Sequence, residues 1–142
     1  MTKKFGIFGD PLSHTLSPIL HNAVFDYLNM DATYEAWEVS PKNLKTEVEK
    51  LRRQPYIGAN VTIPHKVAVM DLLDEIEPQA KQIGSVNTVL GKEGILSGFN
   101  TDTLGLVRSL KEHGEFDPQG KNVLVIGAGG AARAAVFSLL KE

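Results

Sequence analysis

Lys66 ends the run Asn60-Val61-Thr62-Ile63-Pro64-His65-Lys66. Val61 and Ile63 close a β-prone stretch that opens at Ile57. Pro64 suits the first position of a helix, where its missing N–H would have had no intrahelical partner. This predicts Lys66 in the first turn of a helix, just past the carboxyl end of a strand, the edge at which open α/β sheets bind ligands. A helix N-terminus carries partial positive charge and disfavours an ammonium. A lysine so placed is a candidate acid/base, although a lone lysine is more often only a solvated side chain. A second motif, Gly127-Ala128-Gly129-Gly130-Ala131-Ala132, follows the apolar run Val123 to Ile126 and opens a helix through Val136 and Leu140. This is G-x-G-x-x-A in a strand–turn–helix setting, whose glycines allow a tight turn and whose helix start receives a pyrophosphate. The bland alternative is a turn that packs strand against helix. The residue that reads the adenosine ribose is expected roughly 20 positions on, so the residues present leave NAD and NADP both open.

Other residue types exclude more than they offer. The chain has no cysteine, so disulfides and thiolate metal sites are ruled out. His14, His21, His65 and His113 lack metal-ligand companions, and none is read as a ligand. Ser13-His14 has no G-x-S-x-G elbow and is not read as a hydrolase pair. A net charge of -2 over 142 residues gives no footprint for nucleic acid or an anionic membrane. Met1 to Phe8 carries two lysines but no long apolar stretch, and reads as a first strand and not as a signal peptide. No run approaches a transmembrane span. A cytoplasmic setting is the default expectation.

The elements that must position these groups alternate. Phe5 to Phe8 is strand-like and leads to the turn Gly9-Asp10-Pro11. Ser17-Pro18 predicts a helix with serine as N-cap and proline at the first position. Ile19, Leu20, Ala23, Val24, Tyr27 and Leu28 then recur at helical spacing. Tyr34 to Val39 is a second strand, and Ser40-Pro41 starts a helix with Leu44, Val48 and Leu51 inward. The Pro64 helix should bury Val67, Met70 and Leu73. Val86 to Leu90 and Ile95 to Phe99 flank Gly91-Lys92-Glu93-Gly94 as a hairpin. Thr101 to Leu110 is helical, with Asp102 in a first turn whose dipole favours its ionised form. Val123 to Ile126 suits a buried parallel strand. The fold class is α/β: an α/β/α sandwich with a mostly parallel sheet over residues 1–101, then a crossing helix, a linker and an incomplete Rossmann-type unit over 102–142.

Taken together, Gly9 to Pro18, Asn60 to Lys66, Val86-Asn87-Thr88, Asn100-Thr101-Asp102 and Gly127 to Ala131 resemble the shikimate dehydrogenase family, in the family's order. The resemblance implies NADP-dependent, reversible reduction of 3-dehydroshikimate to shikimate, on the route to aromatic amino acids. It implies that Lys66 is the catalytic acid/base with Asp102 as its partner. It implies that Thr15 and Ser17 hold the substrate carboxylate while Thr62 and Asn87, helped by Asn60, hold the ring hydroxyls. Gly127, Ala128, Gly129, Gly130 and Ala131 would form the dinucleotide turn. The donor set suits such a substrate, because a polyhydroxylated carboxylate needs many short donors and acceptors. Thr15, Ser85 and Thr103 stand where the family usually has serine, alanine and glycine. The partner expected is a small molecule, with neither nucleic acid nor membrane, and a homodimer is left open. Two alternatives are a quinate/shikimate-type dehydrogenase of broader specificity and a shikimate-binding module without hydride transfer.

Overall fold

The computed structural model describes residues 1–142. Its elements run β1 (Lys3–Gly9), α1 (Ser17–Tyr27), β2 (Ala32–Glu38), α2 (Leu44–Glu49), β3 (Tyr56–Val61), β4 (Glu75–Ile76), α3 (Pro78–Ile83), β5 (Thr88–Lys92), β6 (Ile95–Phe99), α4 (Asp102–Arg108) and α5 (Gly130–Leu139). Six strands form one sheet in the order β2-β1-β3-β5-β6-β4. The pairs β1/β2, β1/β3 and β4/β6 are parallel, whereas β5 runs antiparallel to both neighbours. The sequence expectation of a mostly parallel α/β sheet therefore holds.

Alternation along the strands separates two cores, as a period of two requires. Phe8 of β1 joins Val39, Val48, Leu51, Val61, Val69, Val89 and Leu96 in the larger one. Ile7 of β1 turns to the opposite face, where Leu12 and Tyr34 form a small cluster capped by Phe5 and Phe25. The α2 segment behaves as its spacing predicts, with Leu44, Val48 and Leu51 all buried. It is flanked by 3₁₀ turns at Pro41–Asn43 and Lys50–Arg52.

Helix α1 departs from its reading. Its recurring apolar residues face outward: Ile19, Leu20, Val24, Tyr27 and Leu28 are all exposed. The side that meets the sheet is anchored instead by polar and aromatic pairs. The Asn22 amide donates to the Tyr34 carbonyl (2.9 Å) and accepts the Tyr34 N–H (2.8 Å). His21 stacks on the Tyr34 ring, and Phe25 meets Phe5. Ser17 is also not the N-cap. It is the first helical residue after Leu16, and its N–H is taken by the Thr15 hydroxyl at 3.3 Å.

The helix expected from Pro64 does not form. Ile63–Val67 is a turn, followed by a 3₁₀ helix over Ala68–Leu72. The Thr62 carbonyl takes the His65 N–H (2.8 Å), and the buried His65 ring bonds the Val39 carbonyl through Nε2 (2.6 Å). Those two contacts fix the chain in a tight bend before a helix can start. Val69 becomes the fully buried residue of this stretch, while Val67 is partly exposed. Two elements have no counterpart in the sequence reading, the short strand β4 and helix α3. The hairpin is tighter than expected, because Lys92 pairs with Ile95 and only Glu93 and Gly94 turn, both at positive φ.

The final unit differs most. Val123 to Ile126 pairs with no strand, and Leu124 and Ile126 are among the most exposed apolar residues. A parallel strand needs a neighbour to take its N–H and C=O groups, and none lies beside this run. Helix α5 does form and docks back on the first hundred residues. Arg133 donates to the Gly84 carbonyl at the end of α3 (3.0 Å), and Ala134 and Ser138 are buried. No helix is long and apolar enough to cross a membrane.

Candidate functional site

Parallel pairing of β1 and β3 puts their carboxyl ends at one edge of the sheet. The loop after β1 and the turn after β3 therefore run together: Asp10 N–H donates to the Ile63 carbonyl (3.1 Å), and Thr62 N–H donates to the Phe8 carbonyl (2.9 Å). Because β5 and β6 run antiparallel to each other, Asn87 at the start of β5 and Asn100 after β6 reach the same edge. Four chain segments thus converge where Thr15, Thr62, Lys66, Asn87 and Asp102 were expected to meet.

Lys66 Nζ donates to Asp102 Oδ2 at 2.8 Å, with the two side chains only 16% and 28% exposed. The remaining Asp102 oxygen, Oδ1, accepts the Asn87 amide at 2.8 Å. Asp102 opens α4 as expected, and its own N–H is held by the Asn100 side-chain oxygen (3.0 Å). Asn87 is a junction: its amide nitrogen also donates to the Thr101 hydroxyl (2.8 Å), and its oxygen accepts the Thr101 N–H (3.0 Å) and the Thr88 hydroxyl (2.9 Å). Lys66 itself lies in the turn, not in a helix. The helix-terminus argument for its proton chemistry is therefore replaced by this ion pair at a half-buried, hydrogen-bonded edge. Thr15 and Ser17 sit together at the entry to α1, and both are partly buried.

The glycine turn reaches the same place from the other side. Gly127 has a φ of +131°, and α5 begins at Gly130 with its first N–H groups free of side-chain caps. A Cβ on Gly129 would meet open space, whereas one on Gly130 would fall 2.6 Å from Lys66 Cβ. The Gly130 carbonyl accepts the Ser85 hydroxyl (3.1 Å), and Val86 N–H donates to the Lys66 carbonyl (2.8 Å). The turn Gly127 to Ala131 offers a dinucleotide pyrophosphate capless helical N–H groups and open space over Gly129, with Gly130 packed against Lys66. Sequence reasoning noted Ser85 only as a departure from the family and gave no contact for it, fully buried as it is, nor for Tyr34, whose hydroxyl donates to the Asn60 side-chain oxygen at 2.6 Å. Nothing local to either residue signals a contact so distant in the chain.

Comparison with known proteins gives the family of the fold. Residues 7–89 match the family described as the shikimate dehydrogenase substrate binding domain. A shikimate dehydrogenase (NADP(+)) of Bacillus cereus strain 03BB102 is 51% identical over 139 residues, which are 98% of this chain and 50% of that protein. Among solved structures, shikimate dehydrogenase 1 of Peptoclostridium difficile superposes with a TM-score of 0.93 at 39% identity, over 98% of this chain and 51% of that one. The Thermus thermophilus enzyme, solved with NADP(H) and shikimate, gives 0.89 at 41% identity over 98% and 52%. The chain spans about half the length of the curated relatives it matches. Matched by the family over more than half its length and folded as its members are, the chain belongs to the shikimate dehydrogenase family.

Proposed function

We propose that this chain supplies the substrate side of an NADP-dependent shikimate dehydrogenase, which interconverts 3-dehydroshikimate and shikimate. The observation that carries the reading is the Lys66–Asp102 ion pair, held at 2.8 Å on the ligand-binding edge of the sheet. Residues 1–101 form the substrate-binding and catalytic part in this reading, and 102–142 begin the cofactor-binding part. Support for the division comes from the six-stranded sheet, which is complete by Phe99.

Interconverting an alcohol and a ketone requires one proton to move at oxygen while a hydride moves at carbon. A dinucleotide held by Gly127 to Ala131 would supply or accept that hydride. In the reducing direction Lys66 Nζ gives its proton to the forming alkoxide oxygen, and in the oxidising direction it takes the hydroxyl proton back. Asp102 keeps Nζ in place and balances its charge, and Asn87 keeps the carboxylate from rotating. Thr15 and Ser17 donate hydroxyl hydrogens to the substrate carboxylate. Thr62 orients the ring hydroxyls together with Asn87, which exchanges one of its bonds to Thr101, Thr88 or Asp102 for a substrate hydroxyl, and Gly127 to Ala131 would carry the pyrophosphate.

Calorimetric titration of the 142-residue chain with shikimate tests the reading. Binding is expected, and Ser17→Ala should weaken it about ten- to a hundred-fold, the worth of a hydrogen bond to a charged group. A wild-type chain that takes up no shikimate, or a Ser17→Ala chain that binds unchanged, contradicts the assignment.

A further inference from the structure

The hydrogen bonds that reach Asp102 do not start at the sheet edge. They begin at Tyr34 on β2, whose side chain reaches past β1 to Asn60 on β3. Tyr34 is 5% exposed, and burial pushes its phenol above the ordinary range, so its proton stays on oxygen. Its hydroxyl bonds only the Asn60 side-chain oxygen, at 2.6 Å. A buried O–H must donate to something, so Asn60 Oδ1 has to face Tyr34. That leaves Asn60 Nδ2 facing Thr88, to whose hydroxyl oxygen it donates at 3.3 Å. The Thr88 hydrogen is then free for Asn87 Oδ1 (2.9 Å), and Asn87 Nδ2 donates to Asp102 Oδ1 (2.8 Å). Every donor in the series points the same way, and the series ends on the carboxylate that holds Lys66.

We infer that Tyr34 is a positioning residue for the Lys66–Asp102 pair, acting through Asn60, Thr88 and Asn87. An asparagine amide has two nearly isosteric orientations, and only its partners choose between them. If Asn60 turned over, the Thr88 hydrogen would be drawn to Asn60, and Asn87 would lose one of the bonds that fix it. Tyr34 removes that alternative, because its single proton has no other acceptor. The ring is itself held by His21 of α1, stacked at 4.2 Å between centroids and 14° between planes. The inference rests on the proposed function for its catalytic meaning but not for its test.

Tyr34→Phe keeps the ring, its stack on His21 and its volume, and removes only the hydroxyl. In the ligand-free 142-residue chain, the side-chain amide resonances of both Asn60 and Asn87 are expected to move in NMR spectra. Those of Gln79, whose amide donates to the Thr103 hydroxyl outside the series, should stay in place. Thr88→Val should reproduce the Asn87 change, and adding Tyr34→Phe to it should move Asn87 no further. Shikimate affinity is expected to fall about three- to ten-fold in each single variant, with unchanged folding by circular dichroism. An unmoved Asn87 amide in Tyr34→Phe, or additive changes in the double variant, overturns the relay whether or not shikimate binds. Absence of binding by the wild-type chain overturns the substrate assignment instead, because the amide signals are read without ligand.

Discussion

Lys66 has two separable duties in this site, and mutation distinguishes them. A residue that only binds substrate raises KM on removal, whereas one that handles the transition-state proton lowers kcat. In an enzyme that carries the complete cofactor domain, Lys66→Ala is expected to lose about 10²–10⁴-fold in kcat, the usual worth of a general acid/base. Asp102→Asn should lower kcat too, since it keeps the shape but removes the charge that holds Nζ at 2.8 Å. Steady-state kinetics at saturating shikimate and NADP checks both, and a Lys66→Ala enzyme with intact kcat would move catalysis elsewhere. At this scale the sequence was legible where motifs are compact: Lys66, Asn87 and Asp102 stand out by type and order, and they do meet. The helix terminus expected at Lys66 is absent, because the buried His65 bond to Val39 bends the chain first. The contacts of Tyr34 and Ser85 stayed hidden for another reason. Each reaches a partner 26 or 45 positions away, and short-range spacing contains no trace of that.

Elements were readable where a single pattern decides them. Helix α2 followed its apolar spacing, and the β5/β6 hairpin followed its glycines. Helix α1 misled because an apolar stripe need not be the docking side when Asn22 and His21 can anchor the opposite one. Two joints between elements give clean tests. Gly91 in β5 lies against the turn after α2, where an added Cβ would fall 1.9 Å from the Leu51 carbonyl oxygen. Backbone cannot yield as a flexible side chain does, so Gly91→Ala should cost about 2 kcal/mol or more in urea unfolding. Nearby, Arg52 bridges Asp74 (2.5 Å), Glu49 (2.8 Å) and the Gly94 carbonyl (2.7 Å), while Asp74 also accepts the Leu96 N–H (2.7 Å). The Arg52 guanidinium, and after it the Leu96 amide, hold the Asp74 carboxyl below the usual range. A depressed carboxyl stabilises the fold above its unfolded pKa of about 3.9 and loses that contribution as pH falls through the folded value. Urea midpoints of wild type and Asp74→Asn should therefore differ at pH 6 and draw together as the pH falls below about 3.9. A gap that persists in acid would remove Asp74 from the account.

At the scale of the whole molecule, a strand is a property of a pair, and the composition of one run does not supply its neighbour. Val123 to Ile126 has the composition of a central parallel strand, yet no other strand lies beside it, and Ile126 is 91% exposed. The helix after it is less dependent on neighbours, since its hydrogen bonds are internal, and α5 duly forms. It is then held by Arg133 on Gly84 and by Ser85 on the Gly130 carbonyl. The molecule thus has an open six-stranded sheet ending at Phe99 and a glycine turn fastened to it, joined by a segment with no ladder of its own. Hydrogen exchange should report this order directly. Amides of β1 and β3, each bonded to strands on both sides, should exchange slowly, near the rate set by global unfolding. Amides of residues 122–129 should exchange at nearly unprotected rates, with protection returning inside α5. The same preparation should bind shikimate without oxidising it in the presence of NADP, because the dinucleotide turn hangs from an unpaired segment. Slow exchange over Val123 to Ile126 would mean that a strand, from this chain or a second copy, pairs there, and steady turnover would show that the turn is set well enough to work.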